Sequence, residues 1–378
     1  MKQPHAVLLA LIDLEKAFNR VSHQLVIEDL ADMHVPGWLL LILISYLTER
    51  SMYMRYKGTS SKRKLLPGSS PQGAFLGILL FIIIFNGALL RPAVPRPNSL
   101  NLKYIDDLSM MMAFNLKACL VSDPAIRARP LAFNERTEQI LSRENNLLQV
   151  ELDSLENFAS NKLLKIKEKK SNVIKFNFSR TNDFPPELTI NGFNDQLDVI
   201  SETKLLGIML SNDLKWASNT EFICKKAYGK MWTLRRMKVL DIDPTVILDV
   251  YLKEIRAVLE LAVPAWHSGL TQRQSSDIER VQKVAVKIIL SDHRTGKSDF
   301  TYDMALVTLD LEPLEVRREK LCLTFAQKTL KSRHSDMFVK NGSEHYTRDK
   351  AMFYENKSNT RRCFNSPLNF LTRLLNNS

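Results

Sequence analysis

Residues 100–112 read LNLKYIDDLSMMM, and the reading of this run decides what kind of sheet the chain can build. Leu100, Leu102 and Tyr104 share one face of the first half. Leu108, Met110 and Met112 share one face of the second, and the two together form the period-two pattern of paired strands. Asp106 and Asp107 fall between them, where a two-residue hairpin tip would lie. Aspartate favours turns through local hydrogen bonds to its own backbone, so at this level the pair is open to a purely conformational reading.

Working outward, Ala6–Ile12 (AVLLALI) is a continuous apolar run of strand length, expected as a central strand covered on both faces. It ends at Asp13. Helices are expected over Ser22–Met33 and Gly37–Leu47, the second opening after Pro36. SMYMRYKGTSSKRKLL suggests two short strands around a Gly-Thr-Ser-Ser turn. No charge interrupts the chain between Lys64 and Arg91. Within that stretch Ala74–Leu90 approaches the length of a membrane span, but the PGSSPQG turn before it and Asn86-Gly87 within it favour a helix buried in a core. A helical segment follows over Asn146–Leu163, with Leu148, Leu152, Leu155 and Phe158 at helical spacing. SNVIKFNF and KLLGIML then read as strands, with a hairpin expected at Asn191-Gly192. Beyond Trp216 the pattern is of long helices, and after Ser291 it fades, leaving Asn341–Ser378 as a loosely structured basic stretch.

The chain has 378 residues, of which 45% are hydrophobic and 25% charged, an ordinary globular balance. This length predicts two or three structural units. Lys and Arg number 53 against 41 Asp and Glu, a net charge of +12 that favours a polyanionic partner, most commonly nucleic acid. The four cysteines, Cys119, Cys224, Cys322 and Cys363, lack zinc or redox spacing. They are expected as free thiols in a reducing, intracellular setting, nuclear or cytoplasmic. The opening residues meet a carboxylate and a lysine after a short apolar run, so no cleavable signal peptide is expected, and neither is a membrane partner.

Asp13, closing a buried strand, and Asp106 and Asp107 in the hairpin form a set of carboxylates from separate strands. Such groups repel by about 1 kcal/mol per pair in water and about 4 kcal/mol at a surface-like dielectric, so a fold that gathers them must neutralise them. Two divalent cations about 4 Å apart would do so and would supply phosphoryl-transfer chemistry. Magnesium suits the role because it keeps oxygen coordination with few protein carboxylates plus substrate phosphates.

Taken in order, LIDLEKAFNRVSH (Leu11–His23), SSPQGAFLGILLF (Ser69–Phe81) and YIDD (Tyr104–Asp107) resemble the A, B and C motifs of reverse transcriptases, with the closest similarity to those of non-long-terminal-repeat retrotransposons. LKIKEKKSNVIKF (Leu164–Phe176) resembles the D motif and KLLGIMLSNDLKW (Lys204–Trp216) the E motif, or primer grip. The resemblance covers about residues 5–290. It implies an α+β fold: a right-hand polymerase palm, an antiparallel sheet backed by helices, followed by an α-helical thumb and a basic tail. The corresponding domains are a palm with partial fingers over 1–215, a thumb and extension over 216–290, and a basic C-terminal region over 291–378.

The resemblance also assigns roles. Asp13, Asp106 and Asp107 are implied metal-binding carboxylates for two Mg2+ ions, with Mn2+ as the alternative, and Lys170 is the implied general acid toward departing pyrophosphate. Phe18 matches the aromatic under the incoming sugar that blocks a 2′-hydroxyl. Gln72 and Gly73 match the B-motif turn against nucleotide and template. Leu205, Leu206 and Gly207 match the primer grip, while Lys225, Lys226, Lys230, Arg235, Arg236 and Lys238 on the first thumb helix would track phosphates. The implied reaction is RNA-directed DNA synthesis, with an RNA template, a DNA primer and deoxynucleoside triphosphates as partners. The sequence leaves the oligomeric state open.

Two positions depart from the family pattern. Asn19 stands where the family usually has aspartate, and Gly87 follows Asn86 where the family often has a further aspartate. Twelve residues precede Asp13, so the basic fingers strands and an upstream endonuclease are expected to be missing from this sequence. The alternative function is therefore a truncated or co-opted relative that binds nucleic acid without copying it.

Overall fold

A computed structural model describes residues 6–66, 68–70, 75–87, 99–114 except 105 and 106, 148–178, 188–190, 195–291, 301–340, 352–358 and 360–378. The chain divides into two units, Met1–Ser201 and Glu202–Ser378.

The first unit is organised around β1 (Ala6–Ile12). It pairs antiparallel with β7 (Asp107–Phe114) on one side and with β8 (Asn172–Asn177) on the other. β6 (Ser99–Tyr104) closes one edge antiparallel to β7, and β11 (Asp198–Ile200) closes the other parallel to β8, giving the order β11-β8-β1-β7-β6. The remaining strands of this unit are short pairs: β2 (Ser51–Met52) with β5 (Lys64–Leu65), β3 (Arg55–Tyr56) with β4 (Thr59–Ser60), and β9 (Thr189–Ile190) with β10 (Asp195–Gln196). The tip expected at Asn191-Gly192 lies outside the described residues.

Strand alternation gives the sheet two different faces. On one, Ala6, Leu8, Ala10 and Ile12 join Leu108, Met110 and Met112 in a continuous core. That core is closed by helices α1 (His23–Asp32), α2 (Gly37–Leu47), α3 (Phe75–Ile84) and α4 (residues 148–161), which contribute Val26 and Leu30, Leu43 and Leu47, Leu80, Phe81 and Ile84, and Leu148, Leu152 and Leu155 respectively. Each such fully buried side chain contributes about 1.5–3 kcal/mol of apolar transfer. On the other face Leu9 is buried with Ile174 and Phe176 of β8, while Val7 and Leu11 are half-buried. The expectation of a strand covered on both faces therefore holds at its centre, with only partial cover at Val7 and Leu11 on the second face.

The hairpin of the opening quotation differs from its sequence reading in two ways. Tyr104 pairs with Asp107, so Asp107 is the first residue of β7 rather than part of a tip, and residues 105 and 106 lie outside the described set. The two apolar stripes also take opposite faces of the sheet. Asn101 pairs with Met110 and Lys103 with Leu108, so these two polar residues share the core side, while Leu100, Leu102 and Tyr104 are exposed. The reason is local. Asn101 donates to buried Glu151 at 3.0 Å, and the Lys103 ammonium donates to the Phe85 carbonyl at 2.6 Å, just past the C-terminal end of α3, where negative backbone charge gathers. Burial holds the Lys103 ammonium below the usual lysine range.

Ala74–Leu90, weighed as a membrane span, contributes the ten-residue helix α3 among its described residues. Among the described residues no helix is long and apolar enough to cross a membrane.

The second unit begins with a hairpin, β12 (Glu202–Leu205) and β13 (Ile208–Ser211), turning through Leu206 and Gly207 at φ 46° and 91°. Both positive values are what a two-residue hairpin turn requires. The sequence reading puts the boundary between units near residue 215, whereas this hairpin already belongs with the helices, because the Met209 N–H donates to the Asn219 side-chain oxygen at 3.0 Å. The helices are α5 (Ala217–Val239), α6 (Pro244–Val250) with its π-helical continuation Tyr251–Arg256, α7 (Gln272–Leu290), α8 (Tyr302–Thr308), α9 (Leu314–Leu330) and α10 (Pro367–Asn377). Thr271 and Gln274 form a reciprocal capping box at the start of α7. The C-terminal stretch is more ordered than its weak periodicity suggests. Phe338, Phe353, Leu371 and Leu375 enter the same core as Trp266 and Ile278, and Asn376 exchanges hydrogen bonds with the Phe353 backbone at 2.9 and 3.0 Å. Residues 341–351 lie outside the described set.

Candidate active site

The site grows from the end of β1. Ile12 pairs with Leu108, and continuing that frame by one residue puts Asp13 opposite Asp107. On the other side the ladder with β8 ends at Leu11 and Asn172, a 3-10 turn at Glu168–Lys170 interrupts it, and pairing resumes with Asp13 against Lys167 and Leu14 against Ile166. Two adjacent strand ends thus carry Asp107 and Asp13, and Lys170 reaches Asp13 from the turn that precedes β8. By alternation Asp13 and Asp107 share the more open face with Leu100, Leu102 and Tyr104. Asp107 is exposed and Asp13 half-buried. The Lys170 ammonium lies 3.9 Å from Asp13 Oδ2, with the two side chains 62% and 35% exposed.

The backbone around Asp13 is fixed by the turn that precedes β8. The Asp13 N–H donates to the Ser171 hydroxyl oxygen at 3.1 Å, and the Lys167 N–H donates to the Asp13 carbonyl at 2.7 Å. The Glu15 N–H donates to Lys165 at 2.7 Å, and Leu14 bridges Ile166. Ser171 is buried and also donates to the Lys167 carbonyl at 3.1 Å. A single hydroxyl therefore ties the Asp13 amide to the turn that carries Lys170. No sequence signal singled Ser171 out, since its role depends on strand register.

Phe18 sits in a short 3-10 turn, Ala17–Arg20, half-buried, with its ring stacked on buried Phe81 at 4.7 Å between centroids. The same turn grips the segment that leads into the B motif. The Ser70 N–H donates to the Phe18 carbonyl at 2.7 Å and the Ser69 N–H to the Val21 carbonyl at 2.9 Å, while a His23 ring nitrogen contacts the Ser69 carbonyl at 2.9 Å. A Cβ on Gly68 would meet the Val21 carbonyl oxygen at 3.0 Å, so glycine permits this approach. Buried Ser70 bonds onward to the Gly77 carbonyl in α3. His23, Ser69 and Ser70 thus lock the A-motif and B-motif segments together, a role their quoted motifs did not assign. Gln72, Gly73 and Asp106 lie outside the described residues.

In the second unit Leu205, Leu206 and Gly207 form the β12–β13 turn, where a Cβ on Gly207 would meet Leu261 Cδ2 at 2.8 Å. The six cations of α5 fall into two groups. Lys230 pairs with Glu254 at 2.6 Å, and Lys238 donates to the Ile289 carbonyl near the end of α7 at 3.0 Å. Lys225, Lys226, Arg235 and Arg236 are exposed. At helical spacing between them stand Tyr228 and Trp232, the latter 68% exposed. These aromatic rings among cations were not read from the sequence.

Among the described residues no group of three or more metal-ligating side chains is present. The described part of the implied carboxylate set nevertheless fits a cation's needs. Asp13 and Asp107 share one face of adjacent strand ends, and the Lys170 ammonium beside Asp13 is largely solvated.

A sheet antiparallel except at its β11 edge, backed by helices on one side and carrying carboxylates at adjacent strand ends on the other, is the palm of a nucleotidyl-transfer fold. Residues 1–210 match the family model described as "Reverse transcriptase (RNA-dependent DNA polymerase)", and the chain belongs to that family. Members of the family use divalent metal ions. A curated relative, the "Probable RNA-directed DNA polymerase from transposon BS" of Drosophila melanogaster, is 26% identical over 269 residues, covering 68% of this chain and 25% of the relative. The chain thus spans about a quarter of the length of the curated relative it matches. Among solved structures, telomerase from Candida tropicalis aligns in complex with a fragment of telomeric RNA at TM-score 0.34 and 11% identity, over 89% of this chain and 49% of the other. The apo form aligns at TM-score 0.35 and 11% identity, over 87% and 51%.

Proposed function

We propose that the first unit is the catalytic palm of an RNA-directed DNA polymerase of a retrotransposon, extending a DNA primer on an RNA template. The observation that carries this reading is the pairing frame that brings Asp13 and Asp107 to neighbouring strand ends, with the Lys170 ammonium 3.9 Å from Asp13 Oδ2.

Asp13, Asp106 and Asp107 would hold two divalent cations, Mg2+ by their all-oxygen donor set, and bound cations would lower the charge cost of the primer oxyanion and of the leaving phosphates. The primer 3′-hydroxyl gives up its proton to solvent and attacks the α-phosphorus of the incoming deoxynucleotide in line, and the bond from that phosphorus to the bridging β-phosphate oxygen breaks to release pyrophosphate. Lys170, beside Asp13, donates a proton to that leaving group. Phe18, braced from behind by Phe81, forms the floor under the sugar and excludes a 2′-hydroxyl. Ser171 keeps the Asp13 backbone in place while charge develops, and the Phe18–Ser70 bond carries the B-motif segment to the same pocket. Leu205–Gly207 would hold the primer end, and the exposed cations of α5 would follow the phosphate backbone.

Primer extension on an RNA template with added Mg2+ tests the proposal. Incorporation that disappears in both Asp13→Ala and Asp106→Ala is the expected result. Activity surviving either change overturns the assignment. Salt-dependent binding of primer-template without incorporation at any nucleotide concentration would instead identify a binding protein that does not copy.

A further inference from the structure

The stretch Arg50–Leu66 takes no part in the site described above, yet it is the most unusual surface of the first unit. It folds into one β-ribbon. Ser51 pairs with Leu65, Met52 with Lys64, Arg55 with Ser60 and Tyr56 with Thr59, and the Leu66 N–H closes its base on the Arg50 carbonyl at 2.8 Å. Lys57 and Gly58 make the tip at φ 46° and 82°. Three residues, 61–63, on one strand oppose two, 53 and 54, on the other, so the ribbon carries a bulge, stitched by the Met54 N–H to the Ser61 hydroxyl oxygen and the Ser61 N–H to the Met54 carbonyl, both at 2.8 Å.

Every residue from Ser51 to Leu65 is exposed. A two-stranded ribbon without a buried face has almost no hydrophobic stabilisation of its own, so its side chains are available to a partner. Their composition specifies the partner. Arg50, Arg55, Lys57, Lys62, Arg63 and Lys64 stand on it, and no aspartate or glutamate occurs anywhere from Arg50 to Ile105. The like charges repel one another until a polyanion neutralises them. Tyr53 and Tyr56 are 50% and 72% exposed. Arg63 lies over the Tyr53 ring at 5.7 Å and Lys57 over the Tyr56 ring at 5.4 Å, an arrangement of cation and aromatic that holds a phosphate beside a surface for stacking.

We propose that this ribbon is a binding element for single-stranded nucleic acid. Bases can stack on exposed tyrosines only when unpaired, and stacking without base-edge contacts tolerates any sequence. The bulge and the left-handed tip twist the ribbon and give it a curved track rather than a flat edge open to another strand. The inference concerns binding alone and does not depend on the polymerase chemistry.

The test is fluorescence anisotropy of a labelled, unstructured single-stranded RNA with the full chain across a salt series, without nucleotides. Two variants are compared with wild type: Arg55→Gln/Lys57→Asn/Arg63→Gln/Lys64→Gln, whose asparagine suits the left-handed tip, and Tyr53→Ala/Tyr56→Ala. The first should lower the slope of log affinity against log salt by about 3, at about 0.7 per cation, and weaken binding more than tenfold at low salt. The second should leave the slope unchanged and weaken binding by about thirtyfold or more, with Tyr53→Phe/Tyr56→Phe restoring it. If the charge variant does not fold, the tyrosine pair decides. An unchanged slope and affinity in folded variants overturns the proposal. So does tighter binding of duplex with no response to the tyrosines, or a change of oligomeric state with RNA binding intact. Asp13→Asn should bind as wild type does, so loss of incorporation and loss of binding are separable.

Discussion

Replacing Lys170 by alanine separates a structural ion pair from a chemical role. The ammonium stands 3.9 Å from Asp13 Oδ2, at the outer limit of an ion pair, and is 62% exposed. Two unit charges at that distance attract by about 1 kcal/mol in water. Side-chain ordering and salt screening reduce this to about 0–0.5 kcal/mol for so exposed a pair. Lys170→Ala should therefore shift the urea midpoint by less than about 0.5 kcal/mol equivalent. As a proton donor to the leaving group, the same side chain contributes about 10²–10⁴ in rate. The expected outcome is a stable protein whose single-nucleotide incorporation falls by about two orders of magnitude or more, measured by rapid quench with primer and template saturating. Lys170→Arg sharpens the test, since guanidinium keeps the charge beside Asp13 but does not release its proton in the working range. Full rescue by arginine would refute proton donation and leave Lys170 as an electrostatic neighbour of Asp13. A stability loss above about 1.5 kcal/mol on alanine substitution would refute the reasoning from exposure.

Three further outcomes follow from the geometry. Ser171→Ala removes the acceptor for the Asp13 amide and the donor to the Lys167 carbonyl in a buried setting, so it should cost about 1–3 kcal/mol in denaturant unfolding and slow incorporation. Gly207→Ala forces a side chain onto φ 91° and to 2.8 Å from Leu261 Cδ2, and calorimetry should record about 1–2 kcal/mol of destabilisation. His267 is held neutral, pushed down to about 4 by burial and then by the neighbouring Arg318 guanidinium, whose Nε donates to His267 Nδ1 at 3.3 Å. Because this folded value lies below the ordinary 6.5, the stability it contributes is complete above pH 6.5 and is lost as pH falls toward 4. The unfolding free energy of wild type, from denaturant curves, should fall across that window by about 2–3 kcal/mol more than that of His267→Gln, and parallel pH profiles would refute the assignment.

The element order of the first unit was legible because its strands and helices carry clean periodicities. AVLLALI needs two neighbours, and LNLKYIDDLSMMM alternates on either side of its acidic pair. The carboxylates were legible because each closes or opens such a run. What the sequence left open was which face of β6 turns inward. Alternation separates Leu100, Leu102 and Tyr104 from Asn101 and Lys103 but does not show that Glu151 and the end of α3 provide polar partners on the core side. Ser171 and Ser70 stayed hidden for the same reason, since each is defined by a partner far away or by a packed turn. The last helix was hidden because its amphipathic pattern is short and its core partners lie in other helices. Among the α5 cations, sequence could list the charges but not that Lys230 and Lys238 are engaged within the protein.

The pairing frames of β1 give the molecule a particular intolerance. Asp13 reaches its neighbours only because β1 counts correctly against β7 and β8 at once. Losing one codon anywhere within Ala6–Ile12 would send the acidic terminus of that strand to the wrong side of the sheet while leaving composition and charge almost untouched. Mutational scanning should therefore find β1 far more sensitive to single-residue deletion than to conservative apolar exchange, an asymmetry measured in length rather than chemistry.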